Sequence, residues 1–451
     1  MKRPLQPFDD ALAALLVQAG PVVPAETVDT LAADGRVLAA DVRSDLNVPS
    51  HDNSQMDGYA VRCADLAGLA DTTAGQPVRL RVTQRIPAGH VGQALAAGEA
   101  ARIFTGARVP DGADAIVMQE EAQVEGDEVV FTACPSAGQW IRRVGEDIRA
   151  GHVILPAGTR LTPQACGLAA SVGLARLDVR RRVRVACFFT GDELTMPGEP
   201  LRDGAIYNSN RFVLVALLRR LGCEVTDLGN IPDSLAATRE ALRRAARDCD
   251  LIVTSGGVSV GEEDHVKPAV EAEGELRLWQ IAMKPGKPLA YGRVRRAPEA
   301  GGADVSAGMS TDGTTDSSAS ASTSAPVSAS ADASNPAAFV HFIGLPGNPV
   351  SSLVTFLMLV RPFVLRLQGV DDVAPRAIPM RADFDWPRPD RRREFLRVRV
   401  NGEGGLAQFV NQGSAVLTST VWGDGLVDNP PEHPVRAGDV VHYLPFAALL
   451  N

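Results

Sequence analysis

Three absences bound what this chain can be. No apolar run approaches the ~18 residues that a bilayer-spanning helix needs, and Asp9 and Asp10 interrupt the apolar start. The expectation is a cytoplasmic protein with no membrane partner. No Cys-x-x-Cys pair and no close histidine partner occur among Cys63, Cys134, Cys166, Cys187, Cys223 and Cys249, which argues against zinc and for reduced, mostly buried thiols. A basic stripe is missing too, and the net charge of -9 turns the reading away from nucleic acid. Any anionic ligand must be held by local groups.

A fourth absence is more specific. The stretch Thr254 to Asp264, TSGGVSVGEED, follows the apolar run CDLIV and precedes a helix-like segment, a place where α/β proteins bind phosphorylated ligands. Gly256 and Gly261 are spaced as in a P-loop, but Glu262 stands where a phosphate-clamping lysine is required. That excludes a nucleoside triphosphatase loop. The glycines still let backbone amides approach an anion. Glu262, Glu263 and Asp264 would repel bare phosphate unless a hard cation or a nearby lysine neutralised it.

At 451 residues the chain is long enough for about three domains. Phe8, Leu12, Leu15 and Leu16 fall at helical spacing, with Asp9 or Asp10 placed to cap. Short β-like runs broken by turn signals occupy roughly 43–145. A helix follows, with Thr162 as N-cap, Pro163 at the first position and Gly173 just past the end. We therefore expect a helical region over 1–42 and 146–180, carrying the inserted β-rich domain 43–145. From Val183 the chain alternates strand and helix: VRVACFF, a helix over Ser209 to Leu221, CEVTDL, a helix over Leu235 to Arg247, then LIVT. This predicts an α/β domain over 181–370 with a doubly wound parallel sheet. Its last helix opens at Pro349, and Pro362 should end or kink it. The remainder, 371–451, reads as a small β-barrel. Between Ala297 and Pro336 there is no Leu, Ile, Phe, Tyr, Trp, Lys or Arg, so that segment is expected to be a disordered insertion.

The missing positive charge is supplied in MKPGKPLAYG, where Lys284 and Lys287 flank a Pro-Gly turn and can grip an oxyanion. In GLPGNPVSS, Pro346, Gly347 and Asn348 lead into a helix, an anion-ready start whose every feature also suits a plain helix N-terminus. FFTGDEL adds Thr190, Asp192 and Glu193 at a strand end. Four ligand-capable loops thus issue from one sheet, pointing to a phosphorylated ligand and a divalent cation. Earlier in the chain, HDNSQMDGYAVR holds Asp52, Asn53, Ser54 and Asp57, RIFTGARVPDG holds Thr105, and RRVGEDIRAG holds Glu146 and Asp147; turn formation explains these equally well. His51 reads as a surface residue.

Taken in order, DNSQMDGYAVR, RIFTGARVPDGADAIVMQE, GEDIRAG, TGDEL, SGGVSVGEED, KPGKP and GLPGNPVS resemble the molybdopterin molybdenumtransferases, the MoeA family of molybdenum cofactor biosynthesis. The resemblance covers nearly the whole chain. Its main departures are the 297–336 insertion and Gln55, where the family usually has a small residue. It implies insertion of molybdate into adenylylated molybdopterin, with release of AMP and assistance from Mg²⁺. Glu193 and Asp264, with Asp192, are similar to the family's acids and would hold the cation or orient water. Asp57, Thr105 and Asp147 match further catalytic motif positions. Ser255, Gly256, Gly257, Ser259, Gly261, Lys284, Lys287, Pro346, Gly347, Asn348, Ser414 and Arg397 would bind the pterin, molybdate or phosphate. The family also implies a homodimer with its active cleft between subunits, and transient contact with the molybdopterin adenylyltransferase. Two rival readings are the preceding adenylylation step, carried out by a single-domain relative, and a non-catalytic scaffold.

Overall fold

Val185, Cys187 and Phe189 point to one side of a strand, Ala186 and Phe188 to the other, and all five are buried. A strand of that kind must be covered on both faces. In the computed structural model, which describes residues 5–20, 22–69, 76–258, 265–296 and 338–450 apart from the side chains of 278 and 279, it is β1 (Arg184–Thr190). After it come α1 (Ser209–Arg220), β2 (Glu224–Ile231), α2 (Leu235–Asp248), β3 (Leu251–Ser255), α3 (Val266–Glu273), β4 (Gly274–Gln280), β5 (Pro288–Arg295), β6 (Phe339–Leu345) and α4 (Pro349–Leu367). The sheet order is β2-β1-β3-β6-β5-β4. The first face packs with Leu214, Leu217 and Leu218 of α1 and with α4; the second packs with Leu242 and Ala246 of α2 and with Val266 and Val270 of α3.

The sheet is mixed, where the sequence suggested a wholly parallel one. β2, β1, β3 and β6 are parallel, but β5 runs antiparallel to both β6 and β4. The stretch from Gln280 to Pro288 is too short for a parallel crossover, which takes a dozen residues or more. The helix expected to end or kink at Pro362 runs on to Leu367. It absorbs the proline through a wide, π-type turn over Phe356–Val360, just where the missing N–H and the ring would disturb an α-helix. Against the expectation that no apolar run approaches a bilayer-spanning length, this helix is long and apolar enough to cross a membrane, but 94% of its apolar window is buried inside the protein. It is a core helix.

By internal packing the chain divides into two compact units, one of Met1–Glu26, Gly35–Val37 and Val179–Asn451, the other of Thr27–Asp34 and Leu38–Asp178. The first unit includes the opening helix, Phe8–Val17, which has no side-chain cap. Asp9, one of the expected caps, instead accepts from Arg393 Nη1 at 2.7 Å, while Phe8 packs edge-on to Phe395 and under the Arg393 guanidinium. That unit also holds a C-terminal sheet of β7 (Ile378–Arg381), β8 (Arg393–Val400), β9 (Leu406–Gln408), β10 (Gly425–Asn429) and β11 (Val440–Pro445). A two-residue strand, Met283–Lys284, joins its edge parallel to β8. Where a barrel was expected, the edges meet, among the described residues, only through one bridge, Ala382 to Leu406.

The second unit is built on a six-stranded sheet ordered Ala115–Met118, Gly58–Val61, Glu99–Ile103, Val78–Ile86, Glu128–Phe131, Ala122–Glu125. Tyr59, Leu80, Val117 and Phe131 fill one face, Ala60, Ile86, Ile103 and Ile116 the other. Its helix Pro163–Ser171 is capped as expected: Thr162 Oγ1 accepts from Ala165 N at 3.2 Å, and Gly173 takes φ +85°. All six cysteines are free thiols, three of them buried.

Candidate active site

In the central sheet, β2 lies on one side of β1 and β3 on the other, so the loops leaving the carboxyl ends of β1 and β3 diverge and open a crevice. Their backbones nearly touch. A Cβ on Gly256 would lie 3.0 Å from Thr190 O, and one on Gly257 would lie 2.9 Å from Thr190 Oγ1 and 2.5 Å from a Val266 methyl. Both glycines also have positive φ, so only glycine fits here without strain.

Two adjoining cavities open at this crevice. One, of about 610 Å³, is lined on its polar side by Glu193, Lys284, Lys287, Arg392 and Ser414, with Gly256, Gly257, Pro346, Gly347 and Asn348 at its floor. The second, of about 650 Å³, shares Glu193, Gly256, Gly347 and Asn348 and is completed by Thr190, Leu194, Ile206, Tyr207, Asn210 and Ser255 among others. Each is of the size that takes a small molecule.

Ser255 stitches the floor together. Its buried Oγ donates to Pro346 O at 2.9 Å and accepts from Asn210 Nδ2 at the same distance; Asn210 Nδ2 also donates to Gly347 O at 2.7 Å. A carbonyl only accepts, so the Asn210 amide must point its NH₂ group inward. That leaves its Oδ1 buried with no partner among the described residues, and Thr190 Oγ1 is in the same state. Asn210 thus acts on the floor through its NH₂ group, tying the Ser255 hydroxyl to the Gly347 carbonyl. The sequence reading missed Asn210. An asparagine at the first turn of a helix looks like any other there, and only the folded positions of Ser255 and Gly347 single it out.

The cation wall follows from strand register. Lys284 is paired with Glu394 across the Met283–Lys284 strand and β8, and its Nζ donates to Glu394 Oε1 at 3.0 Å and lies 3.4 Å from Asp390 Oδ2. Arg392, also unanticipated, donates to Asp390 from Nε and Nη2 at 2.9 and 2.8 Å. This guanidinium, together with the Arg392 amide, holds the Asp390 carboxyl far below the usual carboxylate range despite partial burial. Lys287 is exposed and has no ion pair among the described residues. Gly286, at φ +106°, lets the turn between the lysines lie against α4, where a Cβ would meet Thr355 Oγ1 at 2.5 Å.

Other expected residues fall elsewhere. Arg397, a candidate ligand donor, is buried and does not line either cavity. Its guanidinium donates to Ser419 Oγ, Phe395 O and Gly413 O, and burial lowers its pKa to about 10. Arg397 thus holds from behind the loop that presents Gln412, Gly413 and Ser414, while Ser414 O accepts from Val350 N at the start of α4. Asn348 sits at that helix start but makes no side-chain cap. Asp192 is exposed and lines neither cavity. Ser259, Gly261 and Asp264 lie outside the described residues, as does the 297–336 insertion.

In the second unit, Asp57 accepts from Thr105 N and Oγ1 at 2.8 and 2.7 Å, and these bonds lower its pKa. Asp147 is exposed, and Asp52 is taken up by Arg143 and by Val144 N. The acid expected to bind metal from the first cavity is Glu193. Among the described residues no three His, Cys, Asp or Glu side chains group as a metal site, but Mg²⁺ commonly takes one or two carboxylates and completes its shell with substrate phosphates and water. Glu193 fits that lesser requirement.

Comparison with known proteins finds matches along nearly the whole chain. Three family models match in series: the MoeA N-terminal region (domain I and II) over residues 6–173, a probable molybdopterin binding domain over 186–366, and the MoeA C-terminal region (domain IV) over 379–446. The molybdopterin molybdenumtransferase of Haemophilus influenzae is 36% identical, with 98% of this chain and 99% of that protein aligned. The Nostoc sp. protein of the same name is 34% identical over 86% of this chain and 80% of its own length. The crystal structure of the molybdopterin biosynthesis moeA protein from Pyrococcus horikoshii OT3 superposes with a TM-score of 0.77 at 25% identity, covering 98% of this chain and all of that one. The chain belongs to the MoeA family.

Proposed function

We propose that this transferase of molybdenum cofactor biosynthesis inserts molybdate into adenylylated molybdopterin and releases AMP. The observation that carries the reading is the pair of cavities joined at Glu193. One is walled by Lys284, Lys287 and Arg392 and suits molybdate and phosphate oxygens. The other is lined by apolar contacts from Leu194 and Ile206 together with Tyr207 and Asn208, and suits a flat heterocycle.

On this reading the amides of Gly256 and Gly257 and the lysines hold the phosphates in line, and water attacks one phosphorus of the pyrophosphate and breaks its bond to the bridging oxygen, so that AMP leaves and the pterin keeps its own phosphate. Glu193, on the wall common to both cavities, orients that water and receives its proton. Mg²⁺, held by Glu193 and the phosphates, would offset their charge; Asp264 remains the proposed second ligand, and Asp192 the third. Asp57, Thr105 and Asp147 are proposed to serve the site of a partner subunit in a cytoplasmic homodimer. Transient contact with the adenylyltransferase would deliver the adenylylated pterin. A match over nearly the whole chain favours this step over the single-domain adenylylation reaction.

The test is direct. Purified protein supplied with adenylylated molybdopterin, molybdate and Mg²⁺ is expected to release AMP in a molybdate-dependent way and to yield cofactor that activates a molybdoenzyme apoprotein. Folded protein that releases no AMP under these conditions would sink the assignment.

A further inference from the structure

We infer that Glu394 is a positioning residue for the cation wall and acts through Lys284; the inference rests on the reaction proposed above. Glu394 is completely buried, and a buried carboxylate is tolerated only when its oxygens are filled. Oε1 accepts from Lys284 Nζ at 3.0 Å, and Oε2 accepts from Trp386 Nε1 at 2.7 Å and Asp390 N at 3.1 Å. These donors come from the Met283–Lys284 strand and from the segment leading into β8. Glu394 itself lines neither cavity. One hidden carboxylate therefore ties down two of the three cations that do: Lys284 directly, and Arg392 through Asp390, whose amide Glu394 holds and whose carboxylate grips the guanidinium.

The charge balance says what this arrangement does. Glu394 and Asp390 compensate Lys284 and Arg392, so these two cations offer aimed N–H donors more than net positive charge. Removing the Glu394 charge leaves the overall pull on an anion undiminished, but it frees the Lys284 ammonium from its place. The signature is a loss of turnover without a loss of anion affinity, present only while Lys284 is present.

The experiment uses the full chain as Glu394→Gln, Lys284→Met and the double variant. Calorimetric titration with molybdate reads affinity, AMP release reads kcat, and thermal melting confirms folding. Glu394→Gln is expected to lower kcat about tenfold, the scale of a displaced positioning group, with molybdate affinity weakened by less than about twofold. In the Lys284→Met background the same change should remove less than about a further twofold. A full loss in that background, or a parallel loss of affinity, overturns the inference. Should Glu394→Gln fail to fold, Trp386→Phe removes one donor and leaves the ion pair; a kcat loss of about threefold that vanishes in Lys284→Met supports the inference, and one that persists overturns it.

A substrate-free reading separates this inference from the reaction itself. The chain has four lysines, Lys2, Lys267, Lys284 and Lys287, so reductive ¹³C-methylation gives few lysine signals, with Lys284 assigned by Lys284→Arg. Its signal should be distinct in the parent protein and join those of the exposed lysines in Glu394→Gln, whether or not AMP is ever released. A signal that does not move overturns the positioning role alone.

Discussion

Lys284 and Lys287 occupy one motif and line one cavity, yet their surroundings predict opposite consequences on replacement by alanine. Lys284 is the ion-pair partner of a completely buried carboxylate, so Lys284→Ala strands a charge inside the protein. Breaking a buried pair from one side costs about 3–5 kcal/mol. Lys284 is itself 36% exposed, and Trp386 Nε1 and Asp390 N continue to serve Glu394, so the expected loss is at the low end, about 3 kcal/mol. Lys287 is exposed and unpaired among the described residues; Lys287→Ala should change stability by no more than about 0.5 kcal/mol. For anion binding the order reverses. A cation about 4 Å from a dianion in a water-filled cleft contributes about 2 kcal/mol, so losing Lys287 should weaken molybdate binding roughly thirtyfold. Losing the already compensated Lys284 should weaken it less. Urea denaturation and molybdate titration of the two variants measure both quantities. Equal destabilisation by the two, or a Lys287→Ala that binds molybdate as the parent does, refutes the reasoning.

Gly286→Ala should lower AMP release while leaving the rest of the fold intact: its Cβ would fall 2.5 Å from Thr355 Oγ1 at φ +106°, at a cost of about 1–3 kcal/mol that shifts the lysine turn; kcat and melting temperature together check it. His341 provides a pH dependence. Its Nδ1 lies 3.0 Å from the Tyr291 hydroxyl, and its ring packs edge-on to Phe363. Burial, assisted by Arg293, lowers its pKa from 6.5 to about 4. The unfolded chain protonates first on acidification, so stability falls as pH drops from 6.5 to 4, by at most about 1.4 kcal/mol per pH unit, and this contribution is flat below that window. Urea midpoints across that range should decline less steeply for His341→Gln than for the parent; parallel curves would contradict the assignment.

How much of this was legible in the sequence depends on the range of the interaction. The alternation from Val183 to Thr254 placed β1, α1, β2, α2 and β3 to within a few residues, because burial on both faces and helical capping are written locally. That Lys284, Lys287, Glu193 and the Gly256–Gly257 turn would meet at one sheet edge was likewise legible, since their loops leave neighbouring strand ends and close backbone approach demands glycine. Arg392, Asn210 and Glu394 were not. Glu394 and Asn210 owe their roles to partners far along the chain, Lys284 and Gly347, and Arg392 reaches the cavity beside Lys284 only once β8 pairs with the Met283–Lys284 strand; nothing in REFLRV distinguishes a buried ion-pair acid from an exposed strand residue. Arg397 differs: its apolar neighbours on β8 already implied burial, but its partners, Gly413 and Ser419 of the short helix Thr418–Trp422, become visible only in the fold. The antiparallel pair β4–β5 escaped because apolar runs report burial and not strand direction.

Local charge around the first cavity gives the proposed reaction its need for a divalent cation. Lys284, Lys287 and Arg392 stand on its wall against Glu193 on the same wall and Asp390 and Glu394 directly behind it. Three cations face three carboxylates, and the described residues leave no surplus positive charge for a substrate that brings a pyrophosphate together with a molybdate dianion. The chain as a whole is acidic, so long-range attraction does not supply it either. The site can orient oxyanions through aimed N–H groups and backbone amides, which act over a single hydrogen bond. It cannot also hold several anionic groups against one another without an added cation. On the proposed reaction the acids of TSGGVSVGEED, out of place for a phosphate loop, would belong to the same balance: a loop that recruits a metal with its substrate has reason to carry carboxylates where a P-loop carries lysine.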